Sequence, residues 1–299
     1  MYSIGFIGCG NMGGALASAA SKNCSSMALA DADKAKREAL ARALHAEETD
    51  NVTIARESRV IVLGVKPQVL PAVLEEIAPV LKERSDDYLI VTMAAGVSIK
   101  TLCEKIGSAP HVIRIMPNTP AAIGEGMILF TCGEGVTDND VTLFKTIFAS
   151  AGELEEIEER LIDAGSAVSG CGPAFVYMFI DALADGGVKA GLPRDKALRL
   201  AAKTVSGSAD MVLLSGKHPE ALKNAVCSPA GSTIEGVCAR KCCIPCSGNV
   251  SGYSCLQAYK GTWKVVKSHF AIKLKKITLL HMTNASHLTE CFYDCREHP

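Results

Sequence analysis

The sequence predicts an α/β protein, with a doubly wound parallel sheet in its first half and an all-helical region after it. Three observations carry that prediction. Short apolar runs alternate with helix-period segments up to about residue 116, the pattern of strands joined by crossover helices. A glycine-rich segment, Gly8-Cys9-Gly10-Asn11-Met12-Gly13, separates the first apolar run from the first helical one. From about Leu161 to residue 237 the pattern is helical.

The run Ile4 to Ile7 is continuously apolar, as in a buried strand. The glycines that follow have the spacing G-x-G-x-x-G, and Ala15 to Ala20 then reads as a helix. Gly8 permits a tight turn, Gly10 lets the backbone approach a pyrophosphate, and Gly13 lets helix pack close on strand. The helix N-terminus then faces the phosphate charge. Strand, glycine turn and helix in this order make a Rossmann-like dinucleotide site. A second strand, Met27 to Ala30, ends at Asp31. An acidic residue about 20 positions past the glycines is placed to bond a ribose 2′-hydroxyl, which favours NAD. Equally, Asp31 or Asp33 caps the helix Lys34 to Ala43, and Lys34, Lys36 and Arg37 receive a 2′-phosphate, which favours NADP. The expected cofactor is thus NADP or NAD.

Further strands are expected at Val60 to Val65, Tyr88 to Met93 and Val112 to Met116, with helices at Val69 to Lys82 and Ile99 to Ile106 between them. Ligands of such sheets lie outside the carboxyl ends of the strands. There the chain reads GVKPQ (64–68), AAGVS (94–98) and MPNTPAAIGEG (116–126), whose small residues let backbone groups face a cofactor. Lys66, Pro67, Ala95, Gly96 and Asn118 are the candidates from these segments. For Lys66 and Asn118, ordinary turn chemistry accounts for the residue types equally well.

In the second half, residues 169–192 read as a long, largely buried helix entered through a Gly/Pro turn. A helix running from Pro193 to a stop at Gly216 follows, then a short helix, a Ser-Pro-Ala-Gly turn, and another helix starting near Thr233. Backbone N–H groups at that start, beside the hydroxyls of Ser228, Ser232 and Thr233, suit a carboxylate. A plain N-cap by Ser232 or Thr233 explains the same residues. The expected division is residues 1–160 for the dinucleotide domain, 161–237 for the helical domain and 238–299 for an aberrant, largely irregular tail.

Composition narrows the classes. The 299 residues are 48% hydrophobic and 21% charged, with formal net charge −1. That gives no basis for a nucleic-acid or anionic-membrane partner. No apolar run reaches the roughly 18 residues of a membrane span, and the N-terminus reads as a strand, not a signal peptide. A cytoplasmic location, no membrane partner and reduced cysteines are expected.

Taken together, IGFIGCGNMGGA, VKPQ, AAGVSI, RIMPNTP, SGCGPAFVY and CSPAGSTIEGV resemble pyrroline-5-carboxylate reductase, and they run in family order from residue 4 to residue 237. The resemblance implies hydride transfer from NAD(P)H to the cyclic imine, giving proline, the last step of its biosynthesis. It places Gly8, Gly10, Asn11, Met12 and Gly13 on the pyrophosphate and Lys66 and Asn118 near the nicotinamide. It places Ser228, Gly231, Ser232 and Thr233 on the substrate, with the Thr233 hydroxyl bonded to the imine nitrogen. It implies no metal, and a homodimer or higher oligomer interlocked through the C-terminal helices. Cys171 stands where the family often has serine, and Ala230 where it usually has glycine. If that position needs a positive φ, Ala230 is strained. The other readings are a hydroxyacid-dehydrogenase type of reductase, which should carry a catalytic lysine on the first long helix of the second domain, and a non-enzymatic cofactor-binding protein. Lys189 lies near that helix's end.

The resemblance stops at Cys238. Residues 1–237 hold six cysteines and residues 238–299 hold seven, with the single Trp263. A cysteine codon is TGY; read one base later it becomes GYN, which encodes only alanine or valine. Read that way, residues 238–264 permit ALENAAFRAAVMSAVIAAYKRTKELGK, an amphipathic alanine-rich helix, and the next codons permit a stop. The tail thus reads as a frame shift followed by read-through. The rival is a zinc site on Cys238, Cys242, Cys243 and Cys246, but paired C-x-x-C units with an intervening loop are absent. Loss of the family's helix predicts impaired dimerisation.

Overall fold

A computed structural model describes residues 1–107 and 111–240, with the side chains of residues 239 and 240 left aside. Cys9, Cys24, Cys103, Cys132, Cys171 and Cys227 are free thiols; Cys242, Cys243, Cys246 and the rest of the tail reading lie outside the described residues. The chain divides into two compact units, the first Met1–Ala174, the second starting at Phe175.

The first unit is an eight-stranded sheet with helices on both faces. In chain order its elements are β1 (Tyr2–Ile7), α1 (Asn11–Ala20), β2 (Met27–Ala30), α2 (Lys34–Leu44), β3 (Glu47–Glu48), α3 (Asn51–Glu57), β4 (Ser58–Leu63), α4 (Leu70–Glu83), β5 (Leu89–Thr92), α5 (Ile99–Ile106), β6 (His111–Met116), β7 (Gly126–Cys132), α6 (Asp138–Phe148), β8 (Gly152–Glu156) and α7 (Ile162–Ser169). The strand order is β3-β2-β1-β4-β5-β6-β7-β8. Neighbours are parallel except β6 and β7, which are antiparallel.

Successive residues of a strand point to opposite faces, and the two cores show it. Ile4, Phe6, Val60, Val62, Leu89 and Val91 pack on one face with α1 and α6. Ile7, Ile61, Leu63 and Ile90 pack on the other with α3, α4 and α5. Burial on both faces is why these strands are unbroken apolar runs. The chain leaves β1 for β2 on one side and returns to β4 on the other, so a crevice opens beyond the carboxyl ends of β1 and β4.

α7 belongs to this unit: a Cβ on Gly165 would lie 2.4 Å from Leu129 of β7, so glycine is what lets helix and sheet meet there. Arg114 of β6 is buried and bonds Glu159 at 3.2 Å and Asp163 at 3.4 Å, tying the sheet to the start of α7.

The second unit contains α8 (Gly172–Lys189, from Phe175 onward), α9 (Arg194–Ser215), α10 (Pro219–Ala225) and α11 (Ser232–Arg240). Gly216 ends α9 at φ 61 with its N–H on the Val212 carbonyl, as a helix-stopping glycine should. The core of this unit is small. Among the described residues, Ala184 of α8 and Ala197 and Ala201 of α9 are its buried hydrophobic residues. The expectation of a largely buried helix at 169–192 is therefore corrected for the single chain. Its apolar residues include Val176 and Tyr177, which are exposed.

Candidate functional site

The candidate nucleotide site is built by backbone. Gly8 leaves β1 at φ 100, and a Cβ there would lie 2.7 Å from the Gly64 carbonyl carbon. A Cβ on Gly13 would lie 2.1 Å from the Gly8 carbonyl oxygen. These two glycines therefore let the loop, the first turn of α1 and the end of β4 meet. Gly10 is different: a Cβ on it would meet nothing within 4 Å. It is exposed at the N-cap of α1, where no side chain caps the helix. The N–H groups of Asn11, Met12 and Gly13 begin that helix, so an open, uncapped helix start faces the crevice, the arrangement that accepts a phosphate. The space beside Gly10 fits a dinucleotide pyrophosphate.

Asp31 follows β2 directly. Its Oδ2 accepts the Cys9 N–H at 2.6 Å and its Oδ1 accepts the Asp33 N–H at 2.8 Å. The cap of α2 is Asp33, which accepts the Lys36 N–H at 3.2 Å. Of the two residues the sequence offered for that cap, it is Asp33, leaving Asp31 bound to the glycine loop. Cys9 is buried, its thiol reaching the Ala30 carbonyl at 3.6 Å. Burial, with the nearby Asp31 charge, pushes this thiol up to about 12, so it stays protonated and unreactive.

The other candidates of the first unit lie at the carboxyl ends of β4, β5 and β6. Lys66 is exposed and its carbonyl accepts the N–H groups of Val69 and Leu70, starting α4; its ammonium has no ion pair among the described residues. Pro67 follows it in the same turn. Ala95 and Gly96 are exposed in the turn closed by the Val97 N–H on the Ala94 carbonyl at 3.3 Å, with Gly96 at φ 75. Asn118 is buried. Its Nδ2 donates to the Ser169 carbonyl at 3.0 Å, and its Oδ1 accepts the Met127 N–H at 3.0 Å. That side chain clamps β7 to α7, a structural use that residue type and spacing left open.

In the second unit, Ser228 to Gly231 form a turn in which the Gly231 N–H donates to the Ser228 carbonyl at 3.1 Å. Pro229 and Ala230 are its central residues, and Ala230 sits at φ 56. The positive φ foreseen as a strain is present. A Cβ on Gly231 would lie 2.4 Å from the Ser228 hydroxyl and 3.2 Å from its carbonyl oxygen, so a side chain there would displace the Ser228 hydroxyl. Ser232 and Thr233 open α11, exposed, directly after the turn.

The family profile for pyrroline-5-carboxylate reductase dimerisation matches residues 159–241. A profile for NADP oxidoreductases, coenzyme F420-dependent, matches residues 3–96. The pyrroline-5-carboxylate reductase of pea (Pisum sativum) is 42% identical over 240 residues, spanning 79% of this chain and 86% of its own. Pyrroline-5-carboxylate reductase 3 of Rattus norvegicus is 37% identical over 238 residues, 78% of this chain and 86% of its own. The chain belongs to the pyrroline-5-carboxylate reductase family. Among solved structures, the Plasmodium falciparum pyrroline carboxylate reductase with NADP bound superposes with a TM-score of 0.69 at 31% identity, over 90% of this chain and 99% of its own. The Coxiella burnetii pyrroline-5-carboxylate reductase does so with a TM-score of 0.73 at 27% identity, over 89% and 98%.

Tyr177, Leu200, Met211, Leu213, Leu214 and Val226 are all exposed, and all fall within the dimerisation match. The chain thus carries the family's oligomerisation domain. The helical run Glu159–Lys189 is also long and apolar enough, by length and composition, to cross a membrane. The charged residues that interrupt it hid this from a search for unbroken apolar runs. The profile match ends at residue 241, close to Cys238, where the sequence loses its resemblance to the family. The hydroxyacid-dehydrogenase reading finds no support among these relatives.

Proposed function

We propose that this chain reduces 1-pyrroline-5-carboxylate to L-proline with NAD(P)H. The observation that carries the reading is one chain holding both the open glycine loop on α1 and the Ser228–Thr233 turn, within a family of that activity. Bound NAD(P)H supplies a hydride from its C4 to the imine carbon, C2 of the pyrroline ring, which becomes C5 of proline.

The chain's own residues position and polarise. Gly8, Gly10, Asn11, Met12 and Gly13 hold the pyrophosphate through backbone N–H groups and the start of α1. Lys66, Pro67, Ala95, Gly96 and Asn118 line the nicotinamide end, mainly through backbone. Ser228, Gly231, Ser232 and Thr233 take the substrate carboxylate and ring. Thr233 Oγ1 accepts a hydrogen bond from the protonated imine nitrogen, keeping its proton in place while the imine carbon gains the hydride. A protonated imine is already a good acceptor, so orientation and electrostatics suffice. The exposed helical face pairs with a second copy of the chain and not with lipid, and the enzyme acts in the cytoplasm. The altered sequence from residue 238 weakens that pairing.

The test is oxidation of NADH and NADPH by the purified full chain with pyrroline-5-carboxylate, beside a panel of 2-keto and 3-hydroxy acids. Turnover confined to the imine supports the reading. Turnover only with members of the panel sinks it.

A further inference from the structure

We propose that Asp31 makes this enzyme select NADH over NADPH. The inference rests on the glycine loop being the cofactor site, as argued above, and adds which cofactor it takes.

Backbone register fixes the place of Asp31. Ile7 of β1 pairs with Ala30 of β2, and the Gly8 N–H donates to the Ala30 carbonyl at 2.8 Å. The residue after Ala30 therefore stands beside the glycine loop, where the adenosine ribose of a bound dinucleotide lies. Its carboxylate is held there by two backbone N–H groups, Cys9 at 2.6 Å and Asp33 at 2.8 Å. A carboxylate has about four acceptor sites, so about two remain free. Free acceptors suit the 2′- and 3′-hydroxyls of NADH, which donate. A 2′-phosphate has no proton to offer at neutral pH and carries nearly two negative charges. Asp31 cannot swing away from it without breaking its bond to the loop that holds the pyrophosphate.

The cations that might have offset this are engaged. Arg37 bonds Glu48 at 3.1 Å and the Asp31 carbonyl at 2.9 Å. Lys36 pairs with Asp33 at 3.0 Å and Lys34 with Glu38 at 3.5 Å. The two lysine pairs are exposed and weak, so a phosphate could compete for them. It would still release Asp33 or Glu38 next to itself. The carboxylates of Asp31, Asp33, Glu38 and Glu48 outnumber the cations Lys34, Lys36 and Arg37. The Plasmodium relative with NADP bound shares 31% of its residues with this chain, which leaves room for a different charge at this corner.

Calorimetric titration of the full chain with NADH and with NADPH tests this without requiring turnover. NADH is expected to bind about tenfold tighter or more, with the ratio shrinking as salt screens the repulsion. Asp31→Asn keeps one acceptor for the Cys9 N–H and removes the charge; the ratio should fall toward unity. Ala32→Arg adds an unpaired cation while leaving Asp31 in place, and should also move the ratio toward NADPH if Asp31→Asn folds poorly. Tighter binding of NADPH by the native chain overturns the proposal, as does a ratio unmoved by either variant. Failure to bind either cofactor overturns the cofactor site with it. A clear NADH preference without turnover on the imine upholds the role of Asp31 and counts against the proposed reaction alone.

Discussion

At the scale of single residues, the glycines of the loop separate folding from binding. Gly13 supports the fold: its Cβ would lie 2.1 Å from a backbone oxygen. Gly13→Ala should cost about 3 kcal/mol or more, as overpacking against rigid backbone does, and lower the denaturation midpoint. Gly10 faces open space, so Gly10→Ala should leave stability within about 0.5 kcal/mol. It should nevertheless weaken cofactor binding at least tenfold, because the added methyl occupies the approach to the pyrophosphate. Calorimetry and chemical denaturation on the same two variants check both halves. Ala230 runs the other way. It holds a φ of 56, which L side chains adopt at a cost, so Ala230→Gly should stabilise the protein by about 1 kcal/mol. An unchanged or lowered urea midpoint would show that the turn carries no strain. The Ala230 strain was legible from the sequence, since an alanine in a position that usually holds glycine poses the question directly. The Asp31–Cys9 bond was not legible. It joins residues 22 apart through a strand register that no local pattern encodes.

At the scale of elements, legibility followed burial. β1, β2, β4, β5 and β6 are apolar runs covered on both faces and were expected within a few residues of where they lie. β3 is two exposed glutamates, Glu47 and Glu48, and β8 alternates Leu154 with exposed charge at the sheet edge. Neither carries a pattern distinct from a loop, and α3, at seven residues, is too short to show helical periodicity. β7 and α6 meet in an aromatic stack, Phe130 to Phe144 at 5.2 Å and Phe144 to Phe148 at 5.3 Å, a contact between elements that chain order alone does not reveal. The polar counterpart is Asp140, buried in α6. It accepts from Arg59 at 3.0 Å, His111 at 2.8 Å and the Thr137 hydroxyl at 2.7 Å. Burial pushes its pKa up, but the Thr137 hydrogen bonds and His111 outweigh burial and hold it below the ordinary carboxylate range. A depressed carboxylate stabilises the fold above the unfolded value of about 3.9. That contribution is lost as pH falls from there through the lower folded value. Asp140→Ala should cost about 3 kcal/mol at neutral pH, since it leaves Arg59 and His111 without their shared partner. It should also flatten the fall in stability below about pH 4. Denaturation curves of both proteins across that range decide the point.

At the scale of the whole molecule, two features meet in the helical unit. Among the described residues its hydrophobic core is three alanines, and large apolar residues, Leu213 and Leu214 at 73% and 87% among them, are exposed. Exposed patches of this kind mark an interface or an aggregation hazard. The sequence from Cys238 departs from the helix that the family places next. The native chain should therefore sediment as a weak, concentration-dependent oligomer or as aggregates. A chain in which residues 238–264 are replaced by ALENAAFRAAVMSAVIAAYKRTKELGK and then ended should sediment as a discrete oligomer. Identical behaviour of the two would remove both the frame-shift reading and its consequence. Periodicity made these segments legible as helix, and only the family resemblance marked them for dimerisation, because an apolar residue facing a second chain has the same pattern as one buried in its own.

The central claim is hydride transfer to the C=N carbon of a cyclic imine, which becomes C5 of proline, and isotope transfer tests it most directly. The purified chain would be given pyrroline-5-carboxylate and NADH or NADPH deuterated on both C4 positions, and the proline analysed by mass spectrometry. The account predicts proline carrying a single deuterium, at C5, in amount equal to the nicotinamide oxidised. Cofactor bound but no deuterated proline formed, from either the native chain or the one with the restored helix, would contradict it.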